Sequence, residues 1–284
     1  MGKTSIGTKV QLNKKAVKAD NVIVTGGISI HHFAGYSGGR KSILPAISGY
    51  ETIQQNHKLW LDPENQGFKQ TTKGGHSTSD GNIISEDMEE AANLLNPEFL
   101  INILVNKDKE PTKIVSGNYL TAHKIGCKYL KKHESRKIKK KADLVIASAG
   151  GYPKDIQLYQ ATKAIFNSIE ALKPGGTLII TAECREEIGN QEFYKFATKN
   201  KPFNEKMKEL QKDFTIPKGV ALYLNKCTEK YNIELKSKIS KQKIEELGME
   251  PIKKVKKSLK EFNIQETDDI YVIPYAVNVL PITE

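Results

Sequence analysis

With 284 residues, 38% of them hydrophobic and 27% charged, the chain has apolar material for two modest domains and the composition of a globular protein. Its 44 lysines and arginines against 33 acidic residues leave a net charge of +11, yet the basic runs carry no interleaved aromatics and no recognition motif, which argues against nucleic-acid binding. Three cysteines without C-x-x-C spacing argue against a disulfide framework or zinc site, and no apolar run has the length of a membrane span or the place of a secretory signal, so a cytoplasmic setting is expected.

In chain order, residues 9–13 alternate like a strand, and 16–19 suit a turn of helix. The apolar run 22–25 reads as a buried strand closed by Gly26-Gly27. Just beyond its end come His31-His32-Phe33-Ala34-Gly35-Tyr36-Ser37-Gly38-Gly39-Arg40-Lys41-Ser42, where open α/β sheets place their ligands. Gly35, Gly38 and Gly39 permit a sharp turn whose amides can hold an anion. Arg40 can clamp a phosphate or carboxylate, and Lys41 can act as a point charge or as a nucleophile toward a carbonyl or thioacyl group. His31 can move protons near neutral pH. His57 can do so or bind a metal. A phosphate-binding P-loop is not formed, because Arg40 stands where its last glycine belongs.

The span 51–60 reads as a helix that brings His57 onto the same face as Ile53. Residues 61–82, rich in Gly, Ser and Thr and containing His76, read as a long loop. A helix capped at Ser85 follows, then strands at 99–105 and 113–117, and a helix over 120–130 carrying His123, read as structural. The charged run 131–141 reads as a linker or an exposed helix end. A second unit opens with a strand at 143–149. Asp155 is expected to begin a helix on which Gln160 and Lys163 are surface neighbours. Strands are expected at 177–181, 219–224, 233–237 and 270–274, helices within 192–215 and at 241–247 and 252–262, and Cys184 is read as structural. Alternating apolar strands and helices make an α/β chain with mostly parallel sheets, flanking helices and two lobes. The expected division is a cofactor-binding lobe over 1–138, rejoined by 268–284, and an α/β substrate-side domain over 139–267.

Three separated motifs carry a resemblance. The run His31 to Pro45, the pair Asn56-His57, and Gly151-Tyr152-Pro153-Lys154-Asp155-Ile156-Gln157-Leu158-Tyr159-Gln160-Ala161-Thr162-Lys163 resemble the nickel-dependent lactate racemase family. The resemblance implies racemisation or epimerisation of a small 2-hydroxy acid by transient hydride transfer. The cofactor it implies is a nickel-pincer nucleotide, pyridinium-3,5-bisthiocarboxylic acid mononucleotide, joined covalently to Lys41. It further implies His57 as the protein ligand to nickel, His31 as a catalytic acid/base, Gly38, Gly39 and Arg40 around the cofactor, and Gln160 and Lys163 on the substrate. Members of the family carry a further N-terminal region with a second catalytic histidine and groups that grip the cofactor phosphate. Met1 stands thirty residues before His31, so that region is expected to be absent, leaving a C-terminal part completed by a separate N-terminal polypeptide. The alternative is a catalytically inactive anion- or nucleotide-binding protein of the same fold.

Overall fold

The computed structural model describes residues 1–31, 33–69, 81–106, 108–262 and 264–283. They form two compact units, Met1–Ser135 and Arg136–Glu284. The expectations for His32, and for His76 with most of its loop, lie outside the described residues.

The first unit is built on a three-stranded sheet. Strand β1 (Ile23–Gly27) leads through two short paired strands, β2 (Ile30–His31) and β3 (Gly35–Tyr36), into a 3-10 turn at Gly39–Ser42. Helix α1 (Tyr50–Lys58) and helix α2 (Ile83–Asn93) follow, then β4 (Phe99–Val105), β5 (Pro111–Gly117) and helix α3 (Tyr119–Glu134). Helix α2 begins one residue after Asn82 rather than at Ser85, because the Asn82 side chain accepts from the Ile84 and Ser85 amides. Strand β4 is central, parallel to β1 and antiparallel to β5. Its inward residues are Leu100, Asn102 and Leu104, all essentially buried. The two leucines pack with Val24, Ile28 and Ile43 in the core of the unit.

The opposite face of this sheet is apolar and open. Phe99, Ile101, Ile103 and Val105 project from it, joined by Ile23, which pairs with Phe99, and Ile114, which pairs with Ile103. A groove of about 610 Å³ runs along it between Thr25 and Val105.

A buried carboxylate fastens the N-terminal hairpin to the helices. Asp87 on α2 accepts from Thr4 Oγ1 at 2.5 Å, Thr8 Oγ1 at 2.9 Å and Asn56 Nδ2 at 2.9 Å. Thr4 and Thr8 belong to the hairpin, and Asn56 precedes His57 on α1.

The second unit holds a five-stranded, wholly parallel sheet. Strand β6 (Ala142–Ser148), helix α4 (Leu158–Ser168), β7 (Leu172–Thr181), β8 (Asn232–Lys236), β9 (Glu250–Pro251) and β10 (Ile270–Ile273) stand in the spatial order β9-β8-β7-β6-β10. Residues 219–224, expected as a strand, lie within a helix, Ile216–Lys230. Thr215 caps it, Pro217 suits its first turn, and its apolar residues recur at helical spacing through Cys227. Residues 268–284, expected to return to the first lobe, belong to the second unit. Strand β10 pairs with β6, and Leu280–Thr283 pairs with Ser135–Ile138. The reason is that β6 has an edge opposite β7 whose backbone groups need a partner. No helix of the described residues is long and apolar enough to cross a membrane.

Removing the Asp87 carboxylate leaves three buried donors without an acceptor. Asp87→Ala is therefore expected to destabilise the first unit by about 3 kcal/mol in urea unfolding.

Candidate functional site

The path from β1 to α1 is stitched down at every step. Ser37 Oγ donates to the Gly27 carbonyl at 2.9 Å, and Ser42 Oγ donates to Thr25 at 3.2 Å. Between these points the chain passes through Gly38 and Gly39 with φ of +73° and +53°, a region that costs other residues. The Gly39 amide donates to Asn102 Oδ1 at 2.9 Å. Lys41 then stands in the middle of the 3-10 turn, half-buried.

Arg40 differs from expectation. It is 2% exposed, and its guanidinium is turned inward, donating to the Ala34 carbonyl at 2.7 Å and to His123 Nδ1 at 3.4 Å. These groups hold it inside the protein, so the clamp on an external phosphate expected of it is not the geometry found. His123, read as structural, is a brace for this same turn. Its Nε2–H donates to the Ser37 carbonyl at 2.9 Å. Burial first, and the Arg40 charge second, bring its pKa down to about 4.

His57 is buried on the inner face of α1. Its Nδ1–H donates to the Ile53 carbonyl at 2.9 Å, which leaves the lone pair on Nε2. Burial lowers its pKa to about 4, and the nearby Lys41 ammonium adds to the effect. A neutral imidazole with one nitrogen fixed by a backbone carbonyl is the form in which histidine binds a metal. Among the described residues no group of three or more His, Cys, Asp or Glu could hold a metal ion.

Phe33 lies between the two histidines. Its ring centroid is 6.1 Å from that of His57 and 5.9 Å from that of His31, and Trp60 packs on it at 4.1 Å. His31 Nδ1 accepts from the Phe33 and Ala34 amides, each at 3.3 Å. The neutral tautomer this selects carries its proton on Nε2. The first unit thus brings His57 and His31 to one aromatic side chain, with the Lys41 charge within electrostatic range of His57.

In the second unit, Gly150 and Gly151 end β6 with positive φ, and the chain turns into α4. The helix begins at Leu158 rather than Asp155. Asp155 is instead spent on the neighbouring loop: its carbonyl accepts from the Cys184 amide and its Oδ2 from the Glu183 amide. Lys163 Nζ donates to Gln160 Oε1 at 2.8 Å, and burial, then the charge of Lys154, lowers its pKa. Cys184 is buried, and its thiol is pushed up to about 12, which makes it unreactive.

Comparison with known proteins gives the family of the chain. Residues 1–68 match the lactate racemase N-terminal domain, and residues 137–281, half of the chain, match the lactate racemase C-terminal domain. The chain belongs to the lactate racemase family. A lactate racemase from Thermoanaerobacterium thermosaccharolyticum is 31% identical over 287 residues, covering 99% of this chain and 66% of that protein. One from Lactiplantibacillus plantarum is 36% identical over 194 residues, covering 68% of this chain and 44% of that protein. The solved structure of the Thermoanaerobacterium lactate racemase apoprotein superposes with a TM-score of 0.87 at 30% identity, covering 99% of this chain and 67% of that one. A crystal structure from Thermotoga maritima, 15% identical with a TM-score of 0.66, shares the fold. The chain therefore spans two thirds or less of the length of these curated family members. The N-terminal domain match at residues 1–68 corrects the expectation that only the C-terminal part of the family fold is present.

Asn102 is the residue that the sequence reading missed. Its signal was a lone amide at an inward position of an otherwise apolar strand.

The two buried histidines give stability a definite pH dependence. Each is depressed to about 4 in the folded chain and returns to 6.5 on unfolding. Between pH 6.5 and 4 the unfolded chain binds more protons, so stability falls as pH falls through that window. The expected slope is about 1.4 kcal/mol per pH unit for each histidine. Urea unfolding at pH 6.5, 5.5 and 4.5 reads it, and His123→Gln should halve the histidine part.

Proposed function

We propose that the chain carries the cofactor and substrate groups of a lactate racemase-like 2-hydroxy acid racemase or epimerase of the cytoplasm, with a nickel-pincer nucleotide attached at Lys41. The observation that carries this reading is a buried His57 on α1, its Nδ1–H fixed on the Ile53 carbonyl, sharing the Phe33 ring with His31 and lying within electrostatic range of Lys41. The residues fit the group. Lys41 offers the amine for attachment, and His57 offers one nitrogen to the metal with its tautomer already set. When bound, the nucleotide supplies an acceptor for the C2 hydrogen of the substrate as hydride, so that a flat 2-keto acid can be refilled from either face.

His31 handles the hydroxyl proton. Its Nε2–H in the neutral ring can donate a hydrogen bond to the substrate oxygen, and the proton returned in the second half of the reaction is the one the ring has first taken up as imidazolium. Taking one from the hydroxyl requires the two long bonds from Phe33 and Ala34 to loosen. In the second unit, Gln160 and Lys163 are assigned to the substrate carboxylate. Their mutual hydrogen bond holds the ammonium of Lys163 on Gln160 Oε1, and Lys163 is charged at the cost of part of its solvation.

In a cofactor-producing host supplied with nickel, the purified chain is expected to carry a nucleotide mass on the peptide containing Lys41, together with stoichiometric nickel. Lys41→Arg should lose both. His57→Ala should keep the mass and lose the nickel. An unmodified Lys41 in such preparations would favour the inactive anion-binding alternative.

A further inference from the structure

We propose that Asn102 and His123 are positioning residues for Lys41, and that Gly38 and Gly39 are glycines because of these two side chains rather than because of a phosphate. The inference rests on the reading of Lys41 as an attachment site and adds to it the residues that aim the amine.

The orientation of Asn102 is fixed by its partners. Oδ1 accepts from the Gly39 amide at 2.9 Å, while Nδ2 donates to the Gly26 carbonyl at 3.1 Å and the Ile101 carbonyl at 3.0 Å. A flipped amide would set N–H against N–H and oxygen against two carbonyls. One side chain on β4 therefore joins the end of β1 to the turn that bears Lys41. His123, on α3, closes the other side. Its Nε2–H holds the Ser37 carbonyl, and its Nδ1 receives Arg40.

The glycines record this grip. A Cβ at Gly38 would stand 2.7 Å from Asn102 Oδ1, and a Cβ at Gly39 would enter the imidazole ring of His123. Both positions also have the φ that glycine accepts. The amides of this turn are not all turned toward a ligand, since Gly39 gives its own to Asn102 and Lys41 gives its own to Gly38. Lys41 stands half-buried in this turn, within electrostatic range of His57.

Four single variants and one double variant test the assignment: Asn102→Leu and His123→Leu remove the hydrogen bonds at similar volume, His123→Gln restores a donor toward Ser37, Gly39→Ala meets the imidazole directly, and His123→Ala is combined with Gly39→Ala. Two readouts are taken on folded protein, checked by circular dichroism. One is the fraction of Lys41 carrying the nucleotide mass after expression in the cofactor-producing host. The other is amide hydrogen exchange over residues 38–42. The leucine variants should lose adduct by about tenfold and exchange about tenfold faster across the turn, as expected for the loss of one hydrogen bond or more. His123→Gln should lie within about twofold of wild type on both. Adding His123→Ala to Gly39→Ala should recover part of the adduct that Gly39→Ala alone loses. Normal adduct in the leucine variants, or a His123→Gln variant as poor as His123→Leu, would overturn the proposal. If wild type carries no adduct, the attachment reading fails, and unchanged exchange in Asn102→Leu would separately end the positioning role.

Discussion

The first unit turns on one buried carboxamide. Asn102 sits among leucines on the inner face of β4, where an unpaired amide would be costly, and every polar atom it has is matched to a backbone group of β1, β4 or the glycine turn. That matching fixes where the chain goes after β1. It requires glycine at two positions, turns Arg40 into the interior toward Ala34 and His123, and leaves Lys41 beside His57. A basic, glycine-rich loop is thereby made into a rigid mount for one amine.

The chemistry near that amine follows from burial. An exposed histidine would be partly protonated near neutral pH. His57 is desolvated, faces a positive neighbour and gives Nδ1–H to Ile53, so it remains neutral with Nε2 as its basic nitrogen. On the proposed reading, the protein would contribute a single nitrogen donor and an attachment point, which suits a ligand that brings its own remaining donors. In the second unit, Lys163 is kept partly out of water, and its bond to Gln160 sets both side chains in one arrangement. On the proposed reading, this arrangement would preorganise the two side chains for a small carboxylate, which has few atoms to offset the ordering of flexible groups.

Much of this was legible in the sequence, and the exceptions have physical reasons. The runs at 22–25, 99–105 and 143–149 gave their strands because short apolar runs suit a sheet, but only the last is buried on both faces; in the first unit Val24, Leu100 and Leu104 are covered while Ile23, Ile101 and Ile103 are exposed. Residues 219–224 look the same locally and form a helix, since a short apolar run does not distinguish the two and the deciding signals, Thr215 and Pro217, lie before it. The glycine turn was visible as a site, but its cause was not. Asn102 and His123 lie about sixty and eighty residues further on, and local pattern carries no information about which side chain will meet Gly39. Arg40 was misjudged for a related reason: a buried arginine paired with a distant histidine looks, in sequence, like any exposed cation beside a glycine turn. The path of residues 268–284 likewise depended on an edge of β6 that no local signal reveals.

The central claim is that Lys41 and His57 serve one bound group, the lysine as its anchor and the imidazole as a ligand to its metal. Anomalous diffraction at the nickel edge, from crystals of chain purified out of a cofactor-producing host, tests it most directly. The account predicts one strong anomalous peak in bonding contact with His57 Nε2, and electron density for the nucleotide continuous with Lys41 Nζ. A peak elsewhere in the chain, or density at Lys41 that ends at its own amine, would contradict it.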